Sequence, residues 1–197
     1  MKRSTVNLRD LVILVADTSS FGRRIIHGIL RGFGANKVVL AEKPSELIQA
    51  LYHQRIDMLI CDLQFPPHGG ISTTRQIRRD TKNENRTSPI LITTGYPSGS
   101  IIKNARDAGA NMVIAKPMSA NSLYDRLSWI VFNPRRFIDT ATYFGPDRRF
   151  KIEGYPGGIG RRKEDKMAEV GEAVGPALGQ NDIDSVFNAA KAGSADV

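Results

Sequence analysis

Five short apolar runs constrain the fold of this chain more than any other feature of its sequence. They cover residues 11–16, 38–40, 58–61, 90–93 and 112–115. None of them alternates polar with apolar residues, and each is followed by a stretch with helical periodicity. Continuous apolar runs that alternate with helices are typical of a parallel sheet covered on both faces. The sequence therefore predicts an α/β fold, a (βα)5 unit, with helices at 21–33, 44–53, 70–79, 100–108 and 119–132.

Length and cysteine content favour one folded unit in a reducing compartment. The 197 residues are 41% hydrophobic and 24% charged, which is enough for one buried core plus a remainder. Cys61 is the one cysteine of the sequence, so no internal disulfide can form. The run 11–16 is too short for a signal peptide or a membrane span and is followed by Asp17. We therefore expect a cytoplasmic protein without membrane insertion.

The net charge of +8 is unevenly distributed along the chain. Residues 1–133 hold 18 Lys and Arg against 10 Asp and Glu, whereas residues 134–166 are basic and residues 167–197 are acidic. A basic balance permits nucleic acid, nucleotide or acidic protein partners without choosing between them. The tail has no helix-turn-helix pattern, so we expect no DNA binding.

Polar residues directly follow four of the five apolar runs. They are Asp17, Asp62, Thr94 and Lys116. Ligands of an open parallel sheet bind beyond the carboxyl ends of its strands, where these side chains would meet. Two carboxylates can hold a divalent cation, and a hydroxyl with an ammonium can bind phosphoryl oxygens. The set suits phosphoryl transfer to an aspartate, although each residue alone would more often be a cap, a turn residue or a solvated side chain.

Residues 8–132 resemble the receiver domains of two-component response regulators, the CheY-like family. The resemblance is carried by VILVADTSSFGRR, by IDMLICDLQFPPHGG, by PILITTG and by AGANMVIAKP. It implies a doubly wound, flavodoxin/CheY-like sheet with a largely irregular C-terminal tail, and a receiver domain at 8–133. It further implies Asp62 as phosphoacceptor, Thr94 and Lys116 as switch residues, and Mg²⁺ held by Asp17, Asp62 and the backbone carbonyl of Gln64.

Two positions depart from the family pattern. Thr18 stands where receivers usually have a second acid that is a direct Mg²⁺ ligand, so we expect weaker Mg²⁺ binding and slower or conditional phosphorylation. Val113 stands where the family usually has an aromatic switch residue, so the usual coupling between hydroxyl and aromatic group is altered or absent.

The resemblance implies a response regulator that a histidine kinase or phosphotransfer protein phosphorylates on Asp62. Phosphoryl transfer would be self-catalysed, and the protein would signal by protein contacts, in chemotaxis or flagellar control, rather than act as an enzyme. Two alternatives stay open at this point. One is a receiver-fold adaptor that works without phosphorylation, and the other is an effector that binds a cyclic dinucleotide.

The cyclic dinucleotide alternative depends on the segment 134–166, which is rich in Arg, Gly and Pro. This composition predicts an extended, flexible arm. Paired arginines recur in it every thirteen residues, at Arg135 and Arg136, Arg148 and Arg149, and Arg161 and Arg162. The arm is either a solvated basic linker or a ligand arm, because guanidinium groups stack on bases and bind phosphates.

The acidic segment 167–197 contains one further candidate element, a helical peptide at about 178–191. Its sequence resembles the motif with which the flagellar switch protein FliM and the chemotaxis phosphatase CheZ dock on receivers. Ile183, Val186 and Phe187 would form one apolar stripe for a groove. The resemblance implies docking on a receiver or another flagellar or chemotaxis protein, and an ordinary amphipathic terminal helix is the alternative.

Overall fold

The computed structural model describes residues 6–148 of the chain. The strands are β1 Val12–Ala16, β2 Lys37–Ala41, β3 Met58–Asp62, β4 Ile90–Thr94, β5 Met112–Ala115, β6 Phe137–Asp139 and β7 Phe144–Pro146. The helices are α1 Ser20–Gly32, α2 Pro44–His53, α3 Gly70–Arg79, α4 Gly99–Asp107 and α5 Ala120–Phe132, with a short 3-10 helix at Glu84–Thr87. The predicted segments 149–166 and 167–197, including the peptide at 178–191, lie outside the described residues.

The central sheet is parallel, and its strand order is β2-β1-β3-β4-β5. The chain starts in the middle, moves to one edge and then crosses back to the other, which is the doubly wound arrangement. Ala16 is level with Cys61, Cys61 with Ile92, and Ile92 with Val113. The predicted (βα)5 fold is confirmed, and the carboxyl ends of β1, β3, β4 and β5 lie along one edge.

Helices cover both faces of the sheet because successive strand residues point to opposite sides. Leu14 and Ala16 of β1 face a cluster that includes residues of α2, α3 and α4, whereas Ile13 and Val15 face α1 and α5. Burial on both sides explains why the runs lack polar alternation. Serine caps position the helices over the strands, and the side chain of Ser19 accepts the N–H of Gly22 at the start of α1.

Residues 134–148 correct the prediction of a flexible arm, because they form an antiparallel hairpin against the domain. In this β6–β7 hairpin, Ile138 is level with Gly145. Arginine guanidinium groups of the domain lie over its aromatic rings, Arg78 5.0 Å from the Phe137 centroid and Arg86 3.6 Å from that of Phe144. Such cation–π contacts stabilise ordered structure in a segment whose Gly, Pro and Arg content suggests little burial.

Arg78, on α3, is almost completely buried at 1% exposure. It donates hydrogen bonds to the carbonyls of Gly109, Arg86 and Ser88 and to Oδ1 of Asn111. We call Arg78 with these acceptors the Arg78 anchor. Burial lowers the pKa of Arg78, yet a guanidinium starts so basic that it stays charged at neutral pH. The anchor ties α3 to the segments that enter β4 and β5.

We predict that Arg78→Met destabilises the protein by about 3 kcal/mol, since several carbonyls would lose their donor. The matched control is Arg79→Met, which removes the exposed neighbouring arginine and should change the free energy of unfolding by less than about 0.5 kcal/mol. Urea denaturation measures both. Equal losses in the two variants would contradict the assignment of Arg78 as an anchor.

Candidate functional site

The candidate site lies at the carboxyl edge of the central sheet. Asp17 directly follows β1, Asp62 ends β3, Thr94 ends β4 and Lys116 directly follows β5. Because these strands are parallel neighbours, their last residues lie side by side at this edge. Residues separated by about half the chain therefore meet in one place.

Lys116 joins the two carboxylates of the site. Its Nζ lies 2.7 Å from Oδ2 of Asp17 and 2.6 Å from Oδ1 of Asp62. Asp17 is 2% exposed and Asp62 is 8% exposed, while the Lys116 side chain keeps 28% exposure. Two nearly buried carboxylates thus share one ammonium that reaches solvent.

Loop amides hold the other oxygen of each carboxylate. Oδ1 of Asp17 accepts the N–H of Ser19 at 2.8 Å, and Oδ2 of Asp62 accepts the N–H of Gln64 at 2.9 Å. Each carboxylate is therefore fixed by its own loop on one side and by Lys116 on the other. Both carboxylates are therefore held in a fixed orientation before any ligand enters the site.

The charge of Lys116 is stabilised by its partners. Burial by itself lowers the pKa of Lys116, but the hydrogen bonds and charges of Asp17 and Asp62 outweigh it and raise the pKa above the ordinary lysine value. Lys116 is therefore protonated throughout the neutral range, and its positive charge is available to any anion that enters the site.

Thr94 lies at the same edge on the neighbouring strand. Its carbonyl accepts the N–H of Lys116 at 2.7 Å, and its Oγ1 accepts the N–H of Tyr96 at 3.1 Å. Thr94 is nearly buried, whereas Tyr96 is 75% exposed beside it. Val113 faces the core and is fully buried, so it presents no aromatic group to this surface.

Two glycines allow backbone segments to approach the acidic residues. A Cβ at Gly70 would lie 2.4 Å from the carbonyl oxygen of Asp62, and a Cβ at Gly22 would lie 2.7 Å from Oδ2 of Asp17. Neither distance is possible for a side chain without displacement. Both glycines lie in stretches that carry the family resemblance, but the role of Gly22 beside Asp17 was not predicted from the sequence.

Sequence reasoning also missed Arg23 and Glu42. Arg23 donates from Nη1 to the carbonyl of Asp17 at 2.6 Å and from Nη2 to Glu42 at 2.6 Å. It therefore fixes the backbone of the acidic turn. The signal was present, because Glu42 directly follows β2 at the same edge and could have been included with the other strand-end residues.

The donor set at the site fits a magnesium ion. Mg²⁺ is usually bound through one or two carboxylates plus water, and Asp17 and Asp62 supply two carboxylates that already attract one cation. Thr18 and Gln64 are exposed next to them. Within residues 6–148, no cluster of three or more Asp, Glu, His or Cys side chains is arranged to hold a metal ion.

The predicted ligand arm is divided by the end of the described region. Arg135 donates to the carbonyl of Asn111 and lies over Trp129, and Arg148 pairs with Asp107. Arg136 is exposed on the β6–β7 hairpin. Arg149, Arg161, Arg162 and the predicted docking residues Ile183, Val186 and Phe187 lie outside the described residues. Ligand binding by the arm and docking by the peptide stay predictions.

Within residues 6–148, no helix combines the length and the apolar character that spanning a bilayer requires.

Comparisons with known proteins agree with this geometry. A sequence model of the response regulator receiver domain family matches residues 13–128. The chain is 30% identical over 118 residues to the chemotaxis protein CheY of Pseudomonas aeruginosa. That alignment covers 60% of this chain and 94% of the relative. The chain is 26% identical over 140 residues to the sensory/regulatory protein RpfC of Xanthomonas campestris, which covers 71% of this chain. That alignment spans 19% of RpfC.

A solved structure shows the same fold. The structure of the chemotaxis response regulator CheY4 of Vibrio cholerae superimposes with a TM-score of 0.56 at 22% identity, covering 61% of this chain and 98% of that one.

We predict that Lys116→Met destabilises the protein by about 1–3 kcal/mol, less than for a fully buried pair because the Lys116 side chain is partly exposed. The stability lost through Lys116→Met should be smaller when Asp17→Asn is also present, because only the Asp62 carboxylate then remains charged at the site. Because the pKa of Lys116 is raised on folding, the loss should be constant from neutral pH to about 10 and disappear only above the folded-state pKa. The control is Lys103→Met, an exposed lysine on α4. If the stability losses of Lys116→Met and Asp17→Asn were additive in denaturation, the shared contact would be contradicted.

Proposed function

As the chain belongs to the response regulator receiver domain family, we propose that it accepts a phosphoryl group on Asp62 and transmits the signal by protein contacts. Receiver domains are signalling proteins that interact with histidine kinases or phosphotransfer proteins. The observation that carries the proposal is Lys116 Nζ at 2.6 Å from Oδ1 of Asp62, with Asp17 on the same ammonium. A nearly buried carboxylate beside a cation at a strand end is suited to receive an anionic group.

In the proposed reaction, a carboxylate oxygen of Asp62 attacks the phosphorus of a phosphohistidine on the donor protein. The new bond joins the Asp62 oxygen to phosphorus, the bond from phosphorus to the imidazole nitrogen breaks, and the imidazole leaves with the electron pair of that bond. The product is an acyl phosphate. Its phosphoryl group carries close to two negative charges, where the free carboxylate of Asp62 carried one. The residues of this chain orient the nucleophile and stabilise the charge, and the donor supplies the energy.

Lys116 and Thr94 act on the transferred group. Lys116 moves its charge from the free carboxylates to a phosphoryl oxygen, and the Thr94 hydroxyl donates to another. The Gln64 N–H keeps one Asp62 oxygen in place, at 2.9 Å in the resting site. These changes alter the contacts at the ends of β4 and β5. They therefore shift the equilibrium between two conformations of the surface that the last helices and strand form.

Receiver domains generally bind Mg²⁺ at the phosphorylation site. Here Asp17, Asp62 and the Gln64 carbonyl would hold it, with the Thr18 hydroxyl in place of an acid. When bound, the ion neutralises phosphoryl oxygens and lowers the repulsion between the donor and the two carboxylates.

The relatives support a narrower proposal about the pathway. Two of them are the chemotaxis protein CheY of Pseudomonas aeruginosa and the chemotaxis protein CheY-3 of Vibrio cholerae. We propose that this chain serves chemotaxis or flagellar control from the cytoplasm, with residues 8–133 as the receiver domain and the β6–β7 hairpin attached to it.

We predict that acetyl phosphate with Mg²⁺ adds one phosphoryl group to the chain and none to Asp62→Asn. Intact-mass measurement under conditions that preserve acyl phosphates reads the result. The matched control is Asp57→Asn, which replaces a partly buried aspartate outside the site. This variant should be labelled like the parent. Equal labelling of Asp62→Asn would show that another residue is the acceptor, and an unlabelled parent would favour the adaptor alternative.

We predict that Thr18→Asp tightens Mg²⁺ binding by about tenfold, which corresponds to about 1.4 kcal/mol. The added carboxylate lies next to Asp17 and contributes both a ligand and a negative charge. Labelling by acetyl phosphate should saturate at a correspondingly lower Mg²⁺ concentration. Thr18→Asn adds a polar group of similar size without charge and should behave like the parent. An unchanged Mg²⁺ dependence in Thr18→Asp would remove Thr18 from the cation site.

A further inference from the structure

The strands β4 and β5 connect the phosphoryl-accepting site to the β6–β7 hairpin. At their carboxyl ends lie Thr94 and Lys116, which face the site. At their amino ends lies the Arg78 anchor, where Oδ1 of Asn111 accepts both from Arg78 and from the N–H of Ile90. The four residues of β5 separate Asn111 from Lys116. A displacement at one end of so short a buried strand cannot be absorbed along it without breaking sheet hydrogen bonds.

The hairpin closes over the amino ends of these strands. Arg135 donates to the carbonyl of Asn111 at 2.5 Å and lies over the ring of Trp129 on α5. Gly145 lies against Gly109 in the turn before β5, since a Cβ on Gly145 would be 2.9 Å from the Gly109 Cα. Within the described residues, the hairpin therefore contacts the turn between α4 and β5, the start of β5 and the end of α5.

A cation–π contact and an ion pair complete this closure. Arg86, whose carbonyl belongs to the Arg78 anchor, lies over the Phe144 ring at 3.6 Å. Arg148, the last residue of the hairpin segment 134–148, donates to Asp107 at the end of α4 at 2.9 Å. The hairpin thus restrains the relative positions of α4, β5 and α5.

Phosphorylation would change the charges that Lys116 contacts at the other end of β5. In the resting site Lys116 Nζ lies within 2.7 Å of oxygens of both carboxylates. A phosphoryl group on Asp62 esterifies one carboxylate oxygen and places three further oxygens beside this ammonium, which favours movement of Lys116 from its present partners toward the phosphoryl group. Contacts that hold the start of β5 in its resting position oppose that movement.

We propose that the β6–β7 hairpin is a built-in regulatory element whose docking stabilises the resting arrangement of Lys116 and is released when Asp62 carries a phosphoryl group. The proposal rests on the function proposed above. Release of the hairpin would change how the chain beyond residue 148 leaves the domain, which gives the phosphorylated state a second output besides its helical surface.

The coupling must act in both directions. If phosphorylation weakens hairpin docking, loosening the hairpin must favour the phosphorylated state, by the same factor at equilibrium. Allosteric couplings of this kind typically amount to about 5-fold or more. The labelled fraction in acetyl phosphate is a steady state set by the rates of labelling and hydrolysis, so the test is that both effects have the expected direction.

The first experiment compares full-length parent, Phe144→Ala and Arg135→Gln in acetyl phosphate with Mg²⁺. Both variants remove hairpin contacts to the domain and should raise the steady-state labelled fraction, relative to unlabelled chain, by about fivefold or more. The matched control is Phe33→Leu at the end of α1, which loses a ring contact with Tyr124 near the start of α5. It destabilises the domain without touching the hairpin and should be labelled like the parent. Unchanged or lower labelling in both hairpin variants would overturn the proposal.

The second experiment measures docking in the parent. Hydrogen exchange of residues 137–146 should become faster on labelling, by about fivefold or more. The fluorescence of Trp129, the one tryptophan of the sequence, should shift as Arg135 leaves its ring. Exchange in residues 137–146 that does not change on labelling would contradict the coupling.

A third measurement separates this proposal from the proposed function. A double-mutant cycle of Phe144→Ala with Lys116→Met, measured by denaturation, should be non-additive although the two residues lie at opposite ends of β5. The cycle of Phe33→Leu with Lys116→Met should be additive. An unlabelled parent would refute phosphorylation at Asp62, whereas an additive Phe144 cycle would refute the coupling whether or not the parent is labelled.

Discussion

The contact of one ammonium with two carboxylates organises this protein. Among residues 6–148, Lys116 is the one cation that contacts both Asp17 and Asp62, at 2.7 and 2.6 Å. Without it, two nearly buried carboxylates would repel each other at the edge of the sheet, in surroundings where charges are weakly screened. The same cation is what an incoming phosphoryl group would meet. The resting structure is therefore stabilised by an interaction that the proposed reaction must rearrange, so that phosphorylation and conformation are linked by electrostatics from the start.

The sheet determines what this rearrangement can reach. The strands β3 and β4 are buried along their whole length and β5 is nearly so, and close-packed strands transmit displacement rather than absorb it. Lys116 and Thr94 lie at one end of β5 and β4, and the Arg78 anchor lies at the other. The two ends differ in chemistry. The carboxyl end is acidic and built around exchangeable charge contacts, while the amino end is basic and built from fixed hydrogen bonds to carbonyls and guanidinium groups over aromatic rings. A change of charge at the first end is opposed by rigid contacts at the second.

Sequence reasoning predicted the elements that depend on local pattern and on the geometry of parallel strands. Apolar runs identify the central strands, and the rule that their carboxyl ends meet brings Asp17 and Lys116 together before any coordinates are known. Sequence reasoning could not predict the β6–β7 hairpin, because a segment rich in glycine, proline and arginine ordinarily indicates exposed chain. The contacts that order this hairpin join its aromatic rings to arginines that are distant in sequence. The role of Arg78 could not be predicted either, because nothing in the sequence distinguishes this buried arginine of α3 from the exposed Arg79 beside it. Contacts of this kind are set by tertiary structure rather than by periodicity.

The central claim is that Asp62 is the residue that becomes an acyl phosphate. Its most direct test is chemical trapping, because borohydride reduces an acyl phosphate to an alcohol and converts the modified aspartate to homoserine. Peptide mapping by mass spectrometry after treatment with acetyl phosphate, Mg²⁺ and borohydride should find homoserine at position 62 and unmodified aspartate at position 17. Homoserine at another position, or no conversion at all under conditions that phosphorylate a known receiver domain, would contradict the account.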